Sequence, residues 1–155
     1  MSSDLSSKEI VQRQRDYFRT GATRSYEARL KSLSSLERVL VEHRDEVLGA
    51  LASDLGKPGV EAYLAEYFFV LQELRMVKKL LKKWMKPRRV GNPIYFQPAR
   101  TWEQRDPFGV VAVFVPWNYP LQLALSPLIT AIAAGNCVVI KAAEAAPAAS
   151  LLLAK

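Results

Sequence analysis

The sequence predicts an α/β fold in which helices lead into the first strands of a parallel nucleotide-binding sheet, and three observations carry that expectation. Val110 to Val115 is a short apolar run rich in β-branched residues, bounded by Pro107-Phe108-Gly109 and Pro116-Trp117-Asn118, the pattern of a strand buried on both faces. From Leu121 to Ala134 the apolar residues Leu121, Leu125, Leu128, Ile129 and Ile132 recur at helical steps, and Gly135 stands where a helix ends. Cys137 to Ile140 is a second buried run, which completes a strand–helix–strand unit, and such units cross over into a parallel sheet. Pro127 falls inside the helix and predicts a kink or a late start there.

The remaining elements follow in chain order. Residues 1 to 7 are Ser-rich and are expected to fray, after which Ile10, Val11, Gln14, Tyr17 and Phe18 share one side of a short helix that ends before Gly21. From Arg24 to Leu55 apolar residues keep helical spacing, with a break expected near Glu42 to Asp45 and Gly56 as the stop. A third helix spans about Val60 to Met85 on the stripe Tyr63, Tyr67, Val70, Leu74, Val77, Leu81 and Met85, with Trp84 turned inward, and Pro87 stops it. Between Pro87 and Pro107, punctuated by Gly91, Pro93 and Pro98, Ile94 to Phe96 and Arg100 to Arg105 read as the strands of a small antiparallel ribbon. The run from Ala145 to Lys155 is helix-forming, with Pro147 tolerable in its first turn. The expected division is a helical region (1–86), a ribbon (87–107) and the start of an α/β domain (108–155). Two strands are fewer than the five or six such sheets commonly carry, so more of the domain is expected downstream.

Composition narrows the function classes. Half of the residues are hydrophobic, which excludes a disordered tail, and the formal charge of +7 is concentrated between Arg75 and Arg89, leaving the rest of the chain close to neutral. That basic stretch reads as a solvated helix face rather than a nucleic-acid or membrane-surface binder, because no recognition motif accompanies it; no nucleic-acid partner is expected. One cysteine cannot form an internal disulfide, the first residues lack the basic start and apolar run of a signal peptide, and Pro116, Asn118 and Asn136 interrupt the richest apolar region. A cytoplasmic protein is the expectation.

Open α/β sheets bind ligands at the carboxyl ends of their strands, which singles out the loop Pro116-Trp117-Asn118-Tyr119-Pro120. Its two prolines stiffen it, and the amide of Asn118 between them can donate to a developing oxyanion, although most loop asparagines only close Asx turns. Lys141 at the end of the second strand, with Glu144 three residues on, supplies a cation and a carboxylate suited to a ribose and its phosphate.

The motif PWNYP, followed by AIAAGNCVVIK and a Glu three residues after the Lys, closely resembles the aldehyde dehydrogenase superfamily. The upstream segments around Arg24–Leu30 and Ala52-Ser53-Asp54-Leu55-Gly56-Lys57-Pro58 are similar to its helical amino-terminal region, nearest the short class-3-like type that includes fatty and aromatic aldehyde dehydrogenases. The resemblance covers nearly all of the chain and about the first third of a family member. It implies NAD(P)-dependent oxidation of an aldehyde to a carboxylic acid. It assigns Asn118 to the oxyanion of the thiohemiacetal, Lys141 and Glu144 to the adenosine ribose of NAD or NADP, the backbone of Val115, Pro116 and Trp117 to the nicotinamide side, and Tyr119, with Leu123, to the substrate pocket. It also implies that the ribbon bridges a homodimer, that the 108–155 region opens an NAD(P)-binding domain, and that the nucleophilic cysteine and the glutamate base lie downstream. Where the family has Lys-Pro-Ser-Glu, this chain has Lys141-Ala142-Ala143-Glu144. A carboxyl-terminal membrane anchor of the kind some relatives carry stays open. The alternative is a catalytically inactive remnant that acts at most as a nucleotide- or partner-binding module.

Other reactive residues read as structural. Cys137, flanked by Val138, Val139 and Ile140, is expected to be an inert buried thiol, and His43, set among charged residues, a solvated helix residue. With one His and one Cys the usual zinc ligands are not available, so no metal site is expected. Glu61, Glu66 and Glu73 read as helix-face charges.

Overall fold

The computed structural model describes residues 6–155. Of the segment expected to fray, residues 1–5 lie outside the described residues, whereas Ser6 is an N-cap. Its hydroxyl accepts from the Glu9 N–H, and Glu9 Oε2 accepts from the Ser6 N–H at 2.8 Å, a capping box that opens helix α1 (Ser7–Arg19). Helices α2 (Tyr26–Glu42) and α3 (Arg44–Leu55) meet at His43, inside the predicted break, and Gly56 ends α3 with φ 61°.

The third helical run holds a feature the periodicity did not reveal. Helix α4 (Gly59–Glu61) passes directly into a π-helical turn (Ala62–Phe68) and then into α5 (Phe69–Trp84). A π turn inserts residues relative to the 3.6 repeat and re-phases the faces of the helix. Its effect here is to bury Ala62, Glu66 and Tyr67, upstream of the apolar stripe Val70, Leu74, Val77 and Leu81 of α5. Trp84, expected inward, is 38% exposed at the last turn.

Helices α2, α3 and α5 and helix α6 (Gln122–Ala134) enclose one core: Leu33 and Leu40, Val47 and Leu51, Val70, Leu74, Val77 and Leu81 pack with Leu125, Ile129 and Ala133. Each Val, Leu or Ile side chain among them contributes about 1.5–3 kcal/mol by leaving water. The helical and α/β regions are therefore joined by a shared core.

The ribbon is antiparallel as predicted, but its first strand is not Ile94 to Phe96. Strand β1 (Arg88–Val90) pairs with β2 (Thr101–Glu103), Arg89 facing Trp102. Ile94–Phe96 is a 3₁₀ turn, closed by Phe96 N–H to Pro93 C=O (3.0 Å) and Gln97 N–H to Ile94 C=O (3.1 Å). Pro93, at φ −53°, is already set for a turn, and the chain leaving α5 reaches β2 first.

Strands β3 (Val110–Phe114) and β4 (Cys137–Lys141) are parallel and in register from Val110↔Cys137 to Phe114↔Lys141, with α6 as the crossover. Gly135 ends α6 at φ 91°. Pro127 does not delay the helix, which begins at Gln122; the proline removes only its own N–H, the donor to the Leu123 carbonyl. Burial on both faces of β3 is corrected: Val113 and Val115 are covered with Ala124 of α6, whereas Ala112 and Phe114 are exposed, Phe114 at 76%. The cause is the second layer. Helix α1 lies across the opposite face near the strand starts, with Phe18 beside Gly109. Helix α7 (Pro147–Leu153) packs on α3 with Pro147 in its first turn.

Candidate functional site

The ladder continues one residue past β3, where the Val115 N–H donates to the Lys141 carbonyl at 3.0 Å. The structure therefore brings Val115 and Lys141 side by side, with Pro116 and Trp117 exposed at the carboxyl edge beyond them. Asn118 is exposed as well, and its side-chain amide has no hydrogen-bond partner among the described residues. An Asx turn is closed to it, because Pro120 two residues on has no N–H and the Leu121 N–H is held by another group.

That group is Glu66, and it overturns the reading of Glu66 as a helix-face charge. The π turn buries it completely, at 0% exposure. Glu66 Oε2 accepts from the Leu121 N–H (2.9 Å) and the Gln122 N–H (3.3 Å), so the carboxylate caps the positive end of α6. Its Oε1 is ion-paired with the ammonium of Lys57, whose side chain is 9% exposed. The same ammonium donates to the Asn118 carbonyl at 2.8 Å and lies 3.7 Å from the centroid of the Tyr119 ring. Two buried charges are tolerated because each is paired and also hydrogen-bonded to backbone. Tyr119 is half-buried beneath Lys57, Pro120 is fully buried, and Leu123 is half-buried in the first turn of α6. Glu73 also departs from the helix-face expectation, since it accepts from the Ser126 hydroxyl; Glu61 remains exposed.

Lys141 Nζ donates to Glu144 Oε1 at 2.6 Å, and this hydrogen bond holds the Glu144 carboxyl below its usual range. Both side chains stand open, Glu144 at 90%, so the pair presents an anionic acceptor and a cation to any ligand at this edge. Burial pushes the Cys137 thiol above its ordinary value, as expected for an inert strand residue. His43 is at the surface, with Nδ1 2.7 Å from Glu46 Oε1.

Several side chains that build the platform were not singled out by sequence. Arg29 caps the far end of α6, with Nη1 donating to the Ala133 carbonyl (3.0 Å) and Nε to the Thr23 carbonyl (3.3 Å); burial lowers its pKa, with Asp106 opposing. Buried Asn136 accepts from the Gly109 N–H (2.9 Å) and fixes the start of β3 against β4. Asp54 accepts from the Ala148 and Ala149 N–H groups (3.0 and 2.8 Å) at the start of α7. A signal for Glu66 existed: it lies three residues after Tyr63 and four before Val70, a carboxylate inside an apolar stripe.

Comparison with known proteins bears on this edge. The profile described as "Aldehyde dehydrogenase family" matches residues 3–155. Aldehyde dehydrogenase family 3 member I1, chloroplastic, of Arabidopsis thaliana is 42% identical over 157 aligned residues, covering 99% of this chain and 28% of that protein. AldH of Staphylococcus aureus in a substrate-bound state superposes with a TM-score of 0.92 at 34% identity, covering 96% of this chain and 33% of that one. A mutant of aldehyde dehydrogenase C from Pseudomonas syringae, solved with NAD+ and octanal, gives a TM-score of 0.78 at 26% identity, over 95% of this chain and 29% of that one. The chain thus spans about a third of the length of the proteins it matches.

Proposed function

The chain belongs to the aldehyde dehydrogenase family, and from that premise we propose that the whole protein oxidises an aldehyde to a carboxylic acid with NAD or NADP, Asn118 serving as an oxyanion donor. The observation that carries this reading is the state of Asn118: its amide is exposed and without a partner among the described residues, while its own carbonyl is held by Lys57 and the Leu121 N–H by Glu66. The anchored main chain fixes where the free amide is carried, and a donor held in place is what stabilises charge that develops on a carbonyl oxygen.

The carboxyl edge fits a dinucleotide. Glu144 can accept from ribose hydroxyls, Lys141 can donate to them, and the backbone of Val115, Pro116 and Trp117 lies beside them along the same edge. Bound there, NAD(P) supplies the hydride acceptor. The Asn118 amide donates to the aldehyde oxygen as a thiolate adds to the carbonyl carbon and the oxygen gains negative charge. Cys137 is not that thiolate, because it is buried in β4, where burial pushes its thiol pKa up; the nucleophile and the general base come from outside these residues. Tyr119, which follows Asn118, and Leu123 in the first turn of α6, both half-buried, are assigned to the aldehyde pocket.

The division into a helical region (1–86), a ribbon (87–107) and a nucleotide-binding region (108–155) is one of roles, since the first and third share a core. A homodimer is assigned to the ribbon, where Ile94, Tyr95, Phe96 and Trp102 are exposed apolar residues suited to a protein partner. A reducing, cytoplasmic setting agrees with a single unpaired thiol. No helix among the described residues is long and apolar enough to cross a membrane.

The test is NAD(P)H formation by the whole protein on a panel of aliphatic and aromatic aldehydes. Asn118→Ala should lower kcat about 10²–10³-fold, while Lys141→Ala and Glu144→Ala raise the KM for coenzyme. Wild-type turnover in Asn118→Ala would remove the oxyanion assignment.

A further inference from the structure

We propose that the buried Lys57–Glu66 pair is a positioning device for Asn118, holding the loop so that its amide points where charge develops. The proposal rests on the reading of Asn118 as the oxyanion donor.

Stability alone does not account for the pair. Replacing a buried ion pair by packed apolar residues is often neutral or stabilising, so charges retained at 0% and 9% exposure call for a geometric role. The geometry supplies one. Among the described residues, Lys57 is the sole hydrogen-bond partner that residues 116–120 have outside the β3–α6 segment, and it takes the carbonyl of Asn118 itself. The peptide plane after Asn118 would otherwise be free to rotate, and with it the main chain that carries the amide. The same ammonium lies over the Tyr119 ring, Pro120 fixes the next φ, and Glu66 takes the Leu121 and Gln122 N–H groups. One ion pair therefore grips the loop on both sides of the proline.

The π turn is an independent pointer. Without it an uninterrupted α-helix from Gly59 would present its faces in a different phase, and Glu66 would not meet the start of α6 with Lys57 alongside. π turns inside helices are frequent at functional sites, where the irregularity serves to aim a side chain. Lys57 follows Gly56, whose φ of 61° turns the chain off the end of α3 toward the loop. Glu66 is fully buried and the Lys57 side chain is 9% exposed, and both meet the loop at its main chain, so they are positioning residues rather than substrate contacts.

The experiment is a double-mutant cycle in the whole enzyme, read by steady-state kinetics and by hydrogen exchange over residues 116–123. Lys57→Met should raise exchange in that segment and lower kcat roughly 10- to 100-fold, the loss typical of a displacement near 1 Å, with the KM for coenzyme unchanged. In the Asn118→Ala background Lys57→Met should have no further effect on kcat, because the group it positions is gone. Lys57→Arg, which keeps a donor and a charge, should recover part of the loss. Glu66→Gln, which keeps an acceptor for Leu121, provides a second variant if Lys57→Met does not fold. Unchanged exchange in 116–123 overturns the proposal whether or not the enzyme turns over. A Lys57→Met loss that multiplies with that of Asn118→Ala overturns it while leaving the oxyanion reading intact. Wild-type kcat in Asn118→Ala overturns both.

Discussion

At the scale of single residues, the places of Asn118, Lys141 and Glu144 at the open edge were legible in the sequence, and the contacts that support the loop were not. Asn118, Lys141 and Glu144 are exposed and lie in or directly after one strand–helix–strand unit, so the local pattern was enough to place them at one edge. Lys57 and Glu66 act on a loop 61 and 55 residues away in sequence, and a contact of that separation leaves no period in the chain. Gly135 shows the same dependence on distant packing. The sequence marks it as a helix stop, but a Cβ there would also lie 2.6 Å from Arg29 Nη2 while the backbone sits at φ +91°. Gly135→Ala should therefore cost about 1–3 kcal/mol through backbone strain and crowding, measured by urea denaturation; a change within a few tenths would show that Arg29 moves aside freely.

At the scale of elements, helix ends are held from across the molecule. Glu66 and Arg29 cap the two ends of α6, and Asp54 caps α7. Asp54→Ala should destabilise by about 0.5–2 kcal/mol, as loss of an N-cap does, and should raise hydrogen exchange across 147–153; unaltered exchange there would mean that packing on α3 holds α7 without the cap. Between α2 and α5, Glu37 accepts from Arg75 (2.8 Å) and Lys78 (2.7 Å), and these hydrogen bonds depress its pKa. A depressed carboxylate pKa contributes stability that is present above the unfolded value and is lost as pH falls through the folded one. The stability gap between wild type and Glu37→Gln should be seen at neutral pH, stay below about 1 kcal/mol because Arg75 is half-exposed, and close in acid. A gap that persists in acid would assign the effect to packing. The ribbon departs from the sequence expectation at this scale for a local reason: Ile94 to Phe96 is apolar enough for a strand, yet Pro93 directs it into a turn that leaves Ile94 86% exposed.

At the scale of the whole molecule, a compact core of four helices carries a two-stranded sheet with one face incompletely covered. Phe108 is 97% exposed, and Phe114 and Trp117 also face outward near the open strands. Apolar side chains beside unpaired strand edges invite association. The 155-residue chain by itself should grow in hydrodynamic size with concentration in light scattering, and Phe108→Ser with Phe114→Ser should reduce that growth; a constant monomer would show that these surfaces are not adhesive. The sequence by itself determined the succession of the long helices, the parallel pairing of β3 and β4, the break at His43, the stops at Gly56 and Gly135 and the residues at the carboxyl edge. Each of those follows from short-range periodicity, turn chemistry or one motif. Only the tertiary structure decided that α6 belongs to the helical core, that a π turn buries Glu66, and that Lys57 takes hold of the Asn118 carbonyl. These depend on groups far apart in the chain meeting in a low-dielectric interior, where a charge is tolerated only when its partners arrive with it.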